Sequence, residues 1–266
     1  MLSTLEKILF VIATVASLYF TYRGVMRIVG HIASGQGKPD WNLIWKRLWE
    51  VLAKFVLFKP VFRLRLGPSI LHGLIGWGFL SFLLINLADL IYAYTHFKLL
   101  ENLGLFGDAY RLLADVANVA ILVGILAMVV RRFLLRPASL STRETTHLHP
   151  KARAGILRDS AIVATFIIVH NTARLFGESF YVAEKGYDSW QPFISSVAGF
   201  WSGVDAGALL MGERLMFWLS IGAVVAFLPY FPYSKHIHMF FAPLNFALKP
   251  ERKSIGQLSY INLDDQ

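Results

Sequence analysis

Residues 69–94 read SILHGLIGWGFLSFLLINLADLIYAY. Asp89 is the only formally charged residue in the stretch. A helix rises 1.5 Å per residue and needs roughly 20 mostly apolar residues to cross about 30 Å of hydrocarbon, so this run is long enough to span a bilayer. Lipid cannot hydrogen-bond a bare backbone, which leaves only helices or closed barrels, and the period-two alternation of barrel strands is absent. Similar runs lie at about 2–22, 112–130, 159–180 and 214–234. The sequence therefore predicts an all-α membrane protein, a bundle of five transmembrane helices.

Composition agrees. Of 266 residues, 56% are hydrophobic and 16% charged, against about 45–50% and about 25% in soluble domains. The chain contains no cysteine. That excludes disulfides, thiolate zinc sites, iron–sulfur clusters held by this chain and cysteine nucleophiles. A net charge of +9 fits nucleic acid poorly, because long apolar runs separate the basic residues. No Ser/His/Asp set, carboxylate pair or phosphate loop points to hydrolysis or phosphoryl transfer. Arg23, Arg27 and His31 follow the first run where a signal peptide would carry small residues, so it reads as a retained span.

Segment 21–68 carries nine Lys and Arg, 131–158 seven and the tail from Lys235 four, whereas 96–111 and 174–214 together hold five against seven acids. The positive-inside rule then places the N-terminus outside and the C-terminus in the cytoplasm of a bacterial or archaeal plasma membrane. Segment 41–58 differs. Trp41, Ile44, Leu48, Leu52, Phe55 and Val56 recur at helical spacing between Lys46, Arg47, Glu50 and Lys54. This predicts a cytoplasmic-side amphipathic interfacial helix, read equally as a connector or a docking platform for a partner. Residues 1–240 form the expected membrane domain and 241–266 a cytoplasmic tail or linker. Loop 137–151 reads as an exposed connection in which His147 and His149 are solvated.

Ionisable groups inside a span are expensive and normally have a partner or a function. His72 lies about one turn into the second span, and His238 just beyond the fifth, at similar depth on one face. Neutral imidazole is a good axial ligand for haem iron. Gly73 and Gly76 leave room beside His72 for a helix or a flat macrocycle. Two residues on an α-helix turn about 200°, so His236 and His238 are expected to face opposite ways. One is the ligand, and the other, with Lys235, meets solvent, headgroups or a haem propionate. His170, Arg174 and Glu178 share one helical stripe, read either as a structural ion pair at the outer interface or as a quinone site. Asp89, His96, Asp115 and Asn118 are weaker candidates for the same site, and Glu213 with Arg214 reads as a helix cap.

The layout resembles the gamma subunit of respiratory nitrate reductase, a membrane cytochrome b, and FPYSKHIHMFFAP (231–243) resembles the end of that family's fifth helix. On that register His238 is the ligand and His72 matches the cytoplasm-side ligand of the second helix. The family's second pair falls on Phe82 and Ser220, which cannot ligate iron, so the resemblance implies one haem b. A second haem on His170 or His96 has no support from it. SKHIHMFFAPLN (234–245) also resembles the membrane part of iron–sulfur quinone reductases related to heterodisulfide reductase, of the electron-transferring flavoprotein:menaquinone oxidoreductase type. This implies a respiratory oxidoreductase subunit, not catalytic alone, passing electrons between a cytoplasmic iron–sulfur or flavoprotein partner and menaquinone or ubiquinone. The alternative is a haem-free anchor or small transporter.

Overall fold

The computed structural model describes residues 2–35, 38–63, 65–98, 100, 103–143 and 145–249, and among these no strand occurs. The helices are α1 (Thr4–Ala33), α2 (Trp41–Val56), α3 (Lys59–Phe62), α4 (Leu66–Thr95), α5 (Leu105–Val129), α6 (Pro150–Lys185), α7 (Pro192–Ala198), α8 (Ala206–Phe227) and α9 (His238–Leu248). Four are long and apolar enough to cross a membrane: α1, α4, α8, and α5 together with its π-helical extension Val130–Leu135. They contain the runs expected at 69–94 and 112–130, all but the first two residues of 2–22, and most of 214–234. The run at 159–180 lies inside α6, which has 36 residues but carries too many polar side chains to qualify by composition. The end of the expected tail, beyond residue 249, lies outside the described residues.

Local chemistry sets the helix ends. The Ser3 hydroxyl accepts from the Glu6 amide while Glu6 accepts from the Ser3 amide, closing a capping box on α1. Pro150 opens α6, where its missing N–H has no cost, and Asp205 accepts from the Gly207 and Ala208 amides to cap α8. The chain then folds up and down. Lys7 Nζ donates to the Tyr94 carbonyl and the Tyr94 hydroxyl to the Lys7 carbonyl, joining the start of α1 to the end of α4. The Phe10 ring packs on Phe217 and Trp218, with centres 5.4 and 5.8 Å away, so α1 runs parallel to α8. One end of the bundle thus carries Tyr94, and the other carries α2 and α9.

The core lies between α4 and α5 and between α6 and α8. Two glycines let α4 and α5 touch. A Cβ on Gly78 would come 2.2 Å from Ile121 Cγ1, and one on Gly124 would come 3.0 Å from the Leu71 carbonyl oxygen. Around this contact Phe82, Ile85, Ala114, Ala117, Ile121, Ile125, Ile167 and Phe227 form the main apolar cluster. The expected helix at 41–58 exists as α2, capped by Asp40. It packs along α9, with the Arg47 guanidinium on the Lys249 carbonyl, and leaves Trp41, Trp45 and Trp49 exposed in one stripe.

Candidate functional site

The first site lies at the α9 end and begins with a bend. Phe58, at the start of α3, has a left-handed backbone (φ +49°), and its ring lies over Gly76. A Cβ on Gly76 would come 2.3 Å from that ring, so a larger residue there would have to displace Phe58. Phe58 also meets the His72 ring edge-on at 5.9 Å. From the other side, α8 ends at Phe227 and the chain passes through 3₁₀ turns Phe231–Tyr233 and Lys235–Ile237 before α9 starts at His238.

This brings His238 opposite His72, with ring centres 6.1 Å apart and planes inclined by 30°. His238 Nδ1 lies 2.7 Å from the Lys235 carbonyl. A carbonyl only accepts, so Nδ1 carries the proton and Nε2 keeps its lone pair. The pair faces a cavity of about 400 Å³, also lined by Gly76, Phe79 and His236 and by the cations Lys54, Arg131, Arg132 and Lys235. Arg132 Nε is buried without a partner. Burial pushes the Lys235 ammonium below the usual lysine range, and Asp159, 3.7 Å away, acts against that shift. Gly73 is placed elsewhere, against Trp77 and Phe62. Among the described residues no group of three or more His, Asp or Glu converges as a free metal ion requires.

The expected opposition of His236 and His238 needs correction. It assumed an α-helix, and the residues lie on a 3₁₀ turn entering a new helix, so both line the same cavity. Their ring centres are 6.4 Å apart and the planes nearly perpendicular, at 87°. His236 is buried in a box of Phe79, Phe227 and Phe231, with Nε2 unpartnered.

A second cavity, of about 610 Å³, lies between α1, α4, α6, α8 and α9. Ile75, Phe79, Ile167 and His236 form a wall common to both cavities. His170, 5% exposed, lines the second one. Its Nδ1 donates to the Ser220 carbonyl at 3.1 Å, with Ser220 Oγ at 3.2 Å. Asn171 and Asn86 line it too. Asn171 Nδ2 donates to the Ile167 carbonyl, which fixes the amide orientation and leaves Oδ1 buried and unpartnered, as is Oδ1 of Asn86. Asn171 follows His170 on α6, but periodicity had no means of placing Asn86 of α4 in the lining of the same cavity.

Arg174 and Glu178 share the His170 stripe as expected, but each has a partner on another segment. Arg174 Nε donates to Asp89 at 2.8 Å, and Glu178 receives Lys98 at 2.9 Å. Between them lies a pocket of about 70 Å³ lined by Asp89, Arg174, Glu178, Glu213 and Ser220, and Arg174 Nη1 is buried there without a partner. The weaker candidates disperse. Asp115 accepts from the Phe193 and Ile194 amides and so caps α7. His96 ends α4 exposed, with φ +65°. Asn118 is fully buried on α5. His149 caps α6 through Nδ1.

These features define an all-α, multi-pass membrane bundle with two adjoining cavities beside a histidine cluster. In sequence, 195 residues of the chain are 25% identical to the EtfAB:quinone oxidoreductase of Syntrophomonas wolfei subsp. wolfei (strain DSM 2245B / Goettingen). The match covers 71% of this chain and 26% of the relative, so the chain spans about a quarter of that protein's length. No family model matches, and no solved structure matches.

Proposed function

We propose that the chain is the five-span membrane subunit of a quinone oxidoreductase and holds one haem b between His72 and His238. The observation that carries this is the pair itself: two imidazoles 6.1 Å apart across a cavity, one with its Nδ1 proton tied to a backbone carbonyl. Imidazoles on opposite sides of one metal at about 2 Å have ring centres roughly 6 Å apart, and a ligating histidine usually donates its other N–H to such a carbonyl. Two ligands are all a haem takes from the protein, whereas a free ion needs more. Arg131, Arg132, Lys54 and Lys235 are at hand for the haem carboxylates, and the unpartnered Arg132 Nε fits an absent anion. Bound there, a haem supplies a one-electron couple whose potential is set by its axial nitrogens, burial and nearby charge.

In this reading α6 is also a span, the fourth in chain order, which brings the total to five. Its polar residues His170, Asn171 and Arg174 are buried against neighbouring helices, while Leu157, Ile162 and Val169 are exposed. Polar groups turned inward and apolar groups outward suit a helix in lipid. The charge distribution supports an N-terminus outside and an α9 end in the cytoplasm, and the exposed tryptophan stripe of α2 suits the membrane interface. The relative's name supports electron-transferring flavoprotein and quinone as partners. An iron–sulfur subunit or domain docks over the basic α9 end.

The test is a reduced-minus-oxidised spectrum of the purified chain in detergent, with haem counted per protein. About one b-type haem per chain is expected. His72→Ala and His238→Ala each abolish it, and His236→Ala keeps it. Haem retained in both of the first two variants overturns the ligand assignment. Folded protein made with haem available and binding none moves the haem-free anchor or transporter to the front.

A further inference from the structure

We infer that the 610 Å³ cavity binds the head group of a quinone or quinol under His170, Asn171 and Asn86, and that Ser220 relays its protons between His170 and the polar pocket at the Tyr94 end. The inference rests on the quinone-oxidoreductase reading and adds where the quinone sits and how its protons travel.

The cavity has the right chemistry at each part of its wall. Its body is built from side chains such as Val25, Ile121, Phe166 and Phe227, which suits an isoprenoid tail and an aromatic ring. Its rim residues Ile32, Leu83, Phe240 and Leu244 are exposed, so it opens on the lipid-facing surface from which a quinone arrives. Besides Thr21 and His236, its polar lining lies on α4 and α6, as Asn86, His170 and Asn171. There Asn171 Oδ1 and Asn86 Oδ1 are buried acceptors without donors, and an unmade buried hydrogen bond is costly. A quinol hydroxyl is the donor they lack. The bare Nε2 of His170 is a third acceptor on the same wall.

A proton taken there also has a way out. Ser220 lies on the boundary, with its Oγ 3.2 Å from His170 Nδ1, and it lines the pocket that holds Asp89, Arg174, Glu178 and Glu213. At about 70 Å³ that pocket is large and polar enough for water. In quinol oxidation an O–H bond breaks and the proton goes to His170 Nε2. The imidazole gives up its Nδ1 proton to Ser220 Oγ, which passes its own proton to the pocket. The second hydroxyl follows after the ring resets. The two electrons go to the oxidised flavin or iron–sulfur carriers of the partner, and the two C–O single bonds become carbonyls. Reduction runs the same steps backwards.

The experiment is photolabelling of the full chain in lipid vesicles with an azido-1,4-naphthoquinone, competed by menadione, with adducts mapped by mass spectrometry. Competed adducts within 25–32, 79–86 or 237–244 are expected. Competed adducts confined to other segments overturn the chamber and leave the quinone reading standing. The absence of any competed adduct overturns both. In the intact complex with its electron-transfer partner, Ser220→Ala is expected to slow quinol turnover about a hundredfold, the usual scale of a lost proton transfer, and to raise the solvent isotope effect, with photolabelling retained. His170→Gln should do the same. Unchanged turnover and isotope effect in Ser220→Ala overturn the relay.

Discussion

Replacing Asp89 by leucine removes the carboxylate paired with Arg174 and leaves a buried guanidinium with no direct ion-pair partner, beside Glu178 in the same pocket. The Nε–Oδ2 distance is 2.8 Å, and the side chains are 6% and 26% exposed. At an effective dielectric constant of about 20, charges at that distance attract by about 6 kcal/mol. Desolvating each ion costs several kcal/mol, so the intact pair contributes little net stability. Breaking it is another matter, because the desolvation cost of the remaining ion stays while the attraction goes. The expected loss for Asp89→Leu is up to about 3–5 kcal/mol, lessened by the attraction of Glu178 and by the Phe82 ring, whose centre lies 5.5 Å from the guanidinium carbon. The double variant Asp89→Leu/Arg174→Met removes both charges and is expected within about 1 kcal/mol of the wild type. The assay is the midpoint of unfolding by SDS in mixed micelles for the two singles and the double. A double variant destabilised by the sum of the singles refutes the argument, as does a single Asp89→Leu loss below about 1 kcal/mol.

Gly124→Leu drives a side chain against the Leu71 carbonyl and Ile75. The α4–α5 contact should lose about 1–3 kcal/mol, and possession of a normal melting midpoint would refute the close packing. Asp115→Ala strips the acceptor from the Phe193 and Ile194 amides. It should cost about 0.5–2 kcal/mol and raise amide exchange across α7. The amides of Gly207 and Ala208 hold the exposed Asp205 carboxyl below its usual range. A depressed pKa means that its support of α8 is present above the unfolded value and is lost as pH falls through the folded one. Asp205→Asn should therefore flatten the acid-side loss of stability in a pH series of melting midpoints, and an unaltered slope would refute that role.

The long helices were legible because hydrophobic length is a one-dimensional property. Residues 69–94 could hardly be anything but a span, and α4 adds only three residues before it and one after. The run at 214–234 overshoots α8, which ends at Phe227, whereas at α5 and α6 the apolar run marks the stretch suited to hydrocarbon and understates the backbone helix. That is why α6 extends from Pro150 to Lys185 around an expected 159–180. Proximity between helices was legible only where depth decides it, as for His72 and His238. Arg174 was read against Glu178, its neighbour on the same helix, but a straight helix says nothing of what stands opposite. Asp89 and Lys98 stand there. The histidine turn was misread for a related reason: the 200° argument holds only while the α-helix continues, and α8 stops at Phe227.

Gly24 gives one of these features a wider meaning. It lies on α1, outside the turn that carries His236 and His238, yet a Cβ there would come 3.0 Å from Pro232 and 3.2 Å from the Tyr233 ring. The histidine turn hangs between the last turn of α8 and the first of α9, a bridge with no girder of its own, and α1 is the abutment against which it rests. The missing side chain at position 24 is therefore a spacer of zero thickness. Any thickness added there would push on Pro232, four residues before His236, and be felt as a change in alignment at His238, although the altered residue touches neither ring.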